Sequence, residues 1–406
     1  MTAFDALKVK PFRQFVLARF FLIFSVQMQN LILSWMVYDI TKDPLSLGLI
    51  GIAEIIPFLS VVLFAGNMAD KLSRKKMIFW STLLITCSSI FLYYLAAHTT
   101  SIATPLLLTC YYTIVVVIGF GRGFFGPASQ AMVPTLVPAK VFANATTWNT
   151  TAFHIASIIG PAIGGLMFGF GGAYITMPVI IVLQVVSLIL YFSLKYEQVY
   201  SPKSNEPIIK RLSAGIKFVF SNQVIINSLS LDLFAVLFGG AAALLPVFAA
   251  EIYHCGAQGL GVLRAAPAFG AVLMAVILMW KPPGKGAGKI LLAAVALFGL
   301  CMIVFALSKN FYLSVAILAL SGAVDNVSVV IRQTLVQMNT PDEMRGRVAA
   351  VNSVFISLSN EIGAFESGLA AKLFGLVPSV IYGGLATIGV VGVTSKIAPK
   401  LKAMDM

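Results

Sequence analysis

The sequence predicts an all-α integral membrane protein, with twelve transmembrane helices in two pseudo-symmetric six-helix bundles. Three observations carry that expectation. The chain is too apolar to present a soluble surface, it contains twelve long apolar runs, and it repeats itself at half its own length. Of its 406 residues, 59% are hydrophobic and 11% charged. A soluble domain carries about 25% charged residues. With a mean hydropathy of +0.94, most of the surface must face lipid rather than water.

A membrane helix needs about 20 mostly apolar residues. Runs that satisfy this fall near 12–40, 45–69, 76–97, 103–131, 143–170 and 175–194. After a polar stretch they resume near 223–250, 258–280, 289–307, 311–336, 347–374 and 378–397. The runs are continuously apolar rather than alternating, which favours helices over a barrel. The basic N-terminal segment MTAFDALKVKPFRQF leads into a long run with no small-residue cleavage site. It reads as a retained first span. The polar stretch at 195–222 divides the chain into a first bundle, 1–194, and a second, 223–406.

Basic residues set the orientation. With both termini in the cytoplasm, 21 of the 28 Lys and Arg fall on the cytoplasmic side. Only Lys42, Lys309 and Lys372 fall outside, and Arg19, Arg122, Arg264 and Arg332 lie within runs. This positive-inside bias accounts for a net charge of +13 without nucleic acid. The four cysteines form no C-x-x-C pair, so no zinc site, disulfide framework or cofactor is indicated. His98, His154 and His254 sit on separate segments, and neither G-x-S-x-G nor G-x-x-x-x-G-K-(S/T) occurs. A membrane-embedded enzyme is therefore disfavoured.

The repeat is gap-free across a loop. QAMVPTLVPAKVFANATTWN (130–149) lies over QTLVQMNTPDEMRGRVAAVN (333–352), an offset of 203 from Gln130 to Gln333. The same offset lays IGPAIGGL (159–166) over IGAFESGL (362–369). Duplication of a six-helix unit about an axis along the membrane normal is one architecture of secondary transporters.

One loop concentrates charge. GNMADKLSRKKMI (66–78) carries Asp70, Lys71, Arg74, Lys75 and Lys76 between two apolar runs. With twelve spans and a six-plus-six split, this stretch resembles the major facilitator superfamily. That family's loop signature, G-x-x-x-D-(R/K)-x-G-R-(R/K), is matched by Gly66, Asp70, Lys71, Arg74 and Lys75, with Ser73 in place of the usual Gly. The second-half counterpart, WKPPGKGAGK (280–289), lacks the Asp. Arg122 with Gly126 resembles the fourth-span motif. Gly160, Pro161, Gly164 and Gly165 resemble the fifth-span motif associated with antiporters, and TPDEMRGRV (340–348) resembles the branch of enterobactin exporters and macrolide efflux proteins. Before any family role, Gly160–Gly165 is a packing motif: Pro bends a helix and Gly admits a close neighbour.

The resemblance implies a cytoplasmic gate at Gly66, Asp70, Arg74 and Lys75, with Asp70 against the start of span eleven. A helix N-terminus stabilises such a carboxylate by about 0.3–1 kcal/mol. It also implies a cavity lined by spans one, four, seven and ten.

Charges inside spans need a reason, since each costs about 2.5–3.5 kcal/mol on insertion scales. Glu54, Arg122, Asp232, Arg264, Asp325, Glu361 and Glu366 all lie well within runs. Cavity candidates are Gln27, Asn30, Arg122, Asp232, Arg264 and Asp325. Proton-coupling candidates are Asp325, Asp232, Glu361 and Glu54. The offset relates Arg122 to Asp325, so the two could pair in one state and part in another. A carboxylate that loses its Arg partner and dries out takes a proton more readily. Arg19 and Arg332, near cytoplasmic ends, are expected to snorkel.

The reading is thus a secondary active transporter of an amphipathic small molecule, a monomer in a bacterial inner membrane, coupled to protons and exporting a siderophore or drug. The arginines would suit an anionic cargo. Uptake of a ferric siderophore or a lysophospholipid is the alternative.

Overall fold

The computed structural model describes residues 4–196, 208–281, 283–284, 286–341 and 344–404. No strand occurs among them. The main helices are α1 (Lys10–Thr41), α2 (Pro44–Lys71), α3 (Arg74–Ala97), α4 (Thr104–Met132) and α5 (Phe142–Ser193). A shorter amphipathic helix follows, α6 (Ile208–Ser221). Then come α7 (Gln223–Gly239), α8 (Gly256–Trp280), α9 (Ala287–Leu307), α10 (Phe311–Met338), α11 (Arg345–Phe374) and α12 (Leu376–Ile397).

Ten of the described helices are long and apolar enough to cross a membrane. These are α1 to α5, α7 to α10 and α12. The expected count of twelve differs in two places. The fifth and sixth runs are joined in α5, which is interrupted at Gly172 (φ 58°, ψ −160°). The eleventh run forms α11, a helix of 30 residues; the side chains of several residues in its first half lie outside those described, so it is not among the ten counted. The seventh run, expected to continue to 250, stops at Gly239 and resumes as short 3-10, α and π turns through Ile252. Two successive glycines weaken the helix there, and the Ser367 hydroxyl donates to the freed Gly240 carbonyl at 3.1 Å.

Local chemistry explains the other ends. Asn222 caps α7 by accepting from Val224 and Ile225 N–H at 3.0 and 3.2 Å, and Asn310 caps α10 by accepting from Leu313 N–H at 3.1 Å. Within the spans, Thr82, Thr86 and Thr387 donate to carbonyls one turn back at 2.8–2.9 Å. A span can then carry hydroxyls without exposing unsatisfied groups to lipid.

The repeat is visible in the backbone. The offset of 203 maps Phe142–Ser193 onto 345–396, the extent of α11 plus α12. It also maps Gly172 onto Gly375, which separates those two helices at φ 91°. A left-handed backbone recurs at the same register in each half, at the residue type that adopts it without cost.

The chain folds into two compact units. One contains Met1–Thr41, Ile52–Lys203 and Gly256–Val262, and the other Lys42–Gly51, Ser204–Cys255 and Leu263–Met406. In the first, α5 packs on α1 and α3. A Cβ on Gly164 would stand 2.9 Å from Met28 Cα, and one on Gly165 would stand 2.6 Å from the Ala257 carbonyl oxygen. Gly160 meets the Phe24 carbonyl at 2.9 Å in the same way. In the second unit α9 packs on α10 and α12, and α7 on α11 and α12. Its core includes Leu231, Leu291, Val295, Ile331 and Leu335. The start of α2 belongs to this unit too. Gly48 and Gly368 let α2 and α11 approach backbone to backbone, with Cβ clearances of 2.9 Å at each.

Candidate functional site

Buried charge gathers at three places. In the first unit, Glu54 on α2 and Arg122 on α4 form an ion pair. Glycine sets it up: a Cβ on Gly119 would stand 2.8 Å from the Pro57 ring, and one on Gly123 would stand 3.1 Å from the Phe58 carbonyl oxygen. With no side chains at 119 and 123, α4 lies close on α2 and brings Arg122 to Glu54.

In the second unit, Asp232 on α7 pairs with Arg332 on α10. Both side chains are buried, at 10% and 4% exposure. Asp325 lies seven residues before Arg332, two turns along the same face. It is close enough to feel both charges electrostatically. Asp232, Asp325, Ser328, Ala235, Val236, Ala294, Val295 and Phe298 line a cavity of about 10 Å³, the room one water needs.

The third place is Arg264 on α8, which has Glu361 of α11 as its electrostatic partner. Arg264 Nε is buried without a hydrogen-bond partner. The Glu361 carboxylate stands 3.0 Å from the point a Cβ on Gly51 would occupy, so a glycine on α2 makes room for it. Glu366 is half-buried on the same helix.

Several expectations change. Arg122 pairs with Glu54 in its own unit, a partner not expected from sequence, while Asp325 forms no ion pair among the described residues. Arg332 does not snorkel, because α7 presents Asp232 at its depth. Arg19 is half-buried and donates to the Asn149 amide oxygen, which holds it inside. Among the α1 polar residues, Gln27 and Asn30 are half-buried, whereas Gln29 is 1% exposed. Gln29 accepts from Ser89 at 2.5 Å and from Gln184 at 3.4 Å.

Of the expected gate, Gly66 and the side chains of Asp70, and of Arg345 and Arg347 at the start of α11, lie outside what the structure describes. Arg74 is buried and donates to the carbonyl oxygens of Ala69 at 3.1 Å and Ala131 at 2.8 Å. It thereby satisfies carbonyls at the ends of α2 and α4 that lack helical partners. Lys75 places its ammonium 6.0 Å from the Phe192 ring centre. Outside the spans, Lys372 donates to Asp43 at 2.6 Å. Desolvation pushes the Asp43 carboxyl up, but Lys372 and the Leu45 N–H together outweigh it and hold the group below its ordinary value.

Sequence reasoning placed the charges but missed the partner of Arg332 and the place of Ser328 on the cavity wall. One signal was available: Asp325, Ser328 and Arg332 are spaced i, i+3, i+7, which is one helix face.

Fold comparison defines the architecture. A bacterial homolog of the human lysosomal transporter Spinster, solved in an inward-facing and unoccupied conformation, superposes with a TM-score of 0.68. The match covers 97% of this chain and 96% of that one at 16% identity. That likeness gives the fold; the family match over residues 1–406 and the transporter relatives make the protein a transporter of the major facilitator type rather than an enzyme. More narrowly, it belongs to the family described as transmembrane secretion effector, which it matches over residues 1–406. Relatives include the enterobactin exporter EntS of Citrobacter koseri, 26% identical over 94% of this chain and 91% of that protein. Another is the multidrug efflux pump Tap of Mycolicibacterium fortuitum, 24% identical over 92% and 91%.

Proposed function

We propose that this chain is a proton-coupled exporter of an amphipathic small molecule, working by alternating access between duplicated halves, 1–194 and 223–406, joined by 195–222. It would act as a monomer in the bacterial inner membrane with both termini cytoplasmic. Export is supported by the relatives named as an enterobactin exporter and a multidrug efflux pump. Proton coupling rests on one observation. The α7–α10 cluster holds two carboxylates, Asp232 and Asp325, against one guanidinium, Arg332.

Glu54 and Asp232 form ion pairs with arginines and Glu361 has Arg264 as its electrostatic partner, whereas Asp325 feels Asp232 and Arg332 but forms no ion pair among the described residues. Asp325 is the proton carrier in this reading, and Asp232 is its electrostatic neighbour. Moving one charge through the membrane potential is worth about 2.3 kcal/mol per 100 mV, enough to drive a cargo uphill. The gate is assigned to Gly66, Asp70, Arg74 and Lys75, with Arg74 fixing the helix ends on which Asp70 is carried.

Proteoliposomes with an imposed pH gradient test the reading. Wild-type protein should extrude cargo only when the gradient is present, and Asp325→Asn should abolish that dependence. Transport that ignores the gradient in wild type removes proton coupling. Asp70→Asn should slow turnover while leaving cargo binding intact, and unchanged turnover would remove the gate.

A further inference from the structure

Each arginine at the three charge clusters faces an acid: Arg122 faces Glu54, Arg332 faces Asp232 and Arg264 faces Glu361. None is left over to recognise an anion. The surplus is negative and sits at one cavity. Asp325 lines it, and no described residue hydrogen-bonds its carboxylate. Ser328 lines it too and is 3% exposed. Other hydroxyls on α10 satisfy themselves: Ser321 donates to the Leu318 carbonyl at 2.7 Å and Thr334 to the Val330 carbonyl at 2.9 Å. Ser328 makes no such bond among the described residues. Ser328 lines the cavity, so its hydroxyl is free to bond an occupant there.

Size and charge narrow that occupant. A space of about 10 Å³ admits a water-sized group. Its walls offer carboxylate oxygens, a hydroxyl and the Phe298 ring, which suit a cation that donates hydrogen bonds. We propose that the α7–α9–α10 cavity binds the ammonium head of a primary amine, and that the cargo is an amphipathic amine rather than an anionic siderophore.

This rests on the transporter reading above. The empty cluster, with two carboxylates and one guanidinium, balances its charge by carrying a proton on Asp325. The arriving ammonium donates to Asp325 and Ser328, and Asp325 gives its proton to water, so one positive charge replaces another. The charged groups facing Asp325 are Asp232 from α7 and Arg332 from α10. The lining residues of α9, Ala294, Val295 and Phe298, carry none. From α8, which meets α10 where Pro267 touches Gly322, the charged Arg264 is engaged by Glu361.

Isothermal titration of the purified full-length protein in nanodiscs tests this, with octylamine, octyltrimethylammonium and octanoate as probes, in choline chloride. Octylamine should bind, and buffers of different ionisation enthalpy should report release of about one proton per amine bound. Asp325→Asn should weaken octylamine by about tenfold or more, the order of a charge-assisted hydrogen bond, and abolish the proton release. Ser328→Ala, a milder change that guards against misfolding of the first variant, should weaken octylamine and leave proton release intact. Octyltrimethylammonium, whose head is too large, should bind more weakly than octylamine. Octanoate binding as tightly as octylamine would overturn the proposal, as would octylamine affinity unchanged in both variants. Stabilisation by sodium chloride with no amine binding would overturn it in favour of a sodium site. Loss of gradient-driven transport with amine binding preserved would instead defeat the export reading alone.

Discussion

The two halves share a backbone plan but differ in what they bury at matching positions. The offset of 203 takes Gln29 to Asp232, Ser129 to Arg332 and Arg122 to Asp325. In the first half, Gln29 is held by Ser89 and Gln184, a neutral network in the core. In the second, Asp232 is held by Arg332, an ion pair with a further carboxylate alongside. A neutral amide network fixes helices at modest cost, because each polar atom needs only a hydrogen bond. An ion pair in a dry interior costs several kcal/mol to desolvate and gives little net stability in return. The second half therefore carries an expense that packing alone does not explain. Duplication supplied one scaffold twice, and on the function proposed above the charged version is where a proton or cation would be accommodated.

The sharpest way to break this comparison is Arg332→Gln against Ser129→Ala. Removing Arg332 leaves Asp232 buried without its counter-charge beside Asp325. Breaking a buried pair costs about 3–5 kcal/mol, so thermal unfolding in detergent should fall steeply. Restoring neutrality with Asp232→Asn in the same chain should recover much of it. Ser129 is buried without a hydrogen-bond partner, so its truncation should cost about 1 kcal/mol or less. Equal losses at 129 and 332 would show that the halves are energetically alike.

A smaller effect is expected at Gln29. Gln29→Leu removes the acceptor of the Gln184 amide, while Ser89 keeps the Ile85 carbonyl at 3.0 Å, at a cost of about 1–3 kcal/mol. Gradient dependence of transport should not change. The same scan with Glu54→Gln should lower stability less than Arg332→Gln, because the Arg122 side chain is 43% exposed and can rehydrate. A shift in the pH profile of transport on Gln29→Leu would dissolve the distinction between the neutral Gln29 network and the charged Asp232 cluster.

Much of the architecture could be read in advance, and the reason is physical. Lipid forces every backbone group into a helix, so apolar runs translate into helices almost one for one. Duplication leaves its register in sequence, and Gly172 and Gly375 show that the register extends to a backbone dihedral. The failures share a cause. Which acid meets Arg122 depends on how α4 crosses α2, set by Gly119 and Gly123 against Pro57 and Phe58. Long-range packing of this kind leaves only small-residue spacing as a trace. Arg332 was misjudged because distance from a helix end was weighed, and the side chain opposite was not. Arg74 sits in a motif, but its carbonyl partners at 69 and 131 are backbone atoms that no motif names.

The smallest expected effect separates the charges inside the spans from one at their edge. Asp43 and Lys372 form an ion pair whose side chains are 35% and 49% exposed, so solvent screens it. The Asp43 carboxyl is held below its ordinary value, and the sign follows. The pair contributes fully above the unfolded value of about 3.9 and loses its contribution as pH falls through the lower folded value. Lys372→Met should therefore cost little at neutral pH, within about 1 kcal/mol. The gap between variant and wild type in thermal unfolding should close on acidification, and added salt should narrow it as well. A gap that persists in acid and in high salt would mean that Lys372 acts through packing of its stem. The exposed edge would then obey the same rule as the neutral core around Gln29.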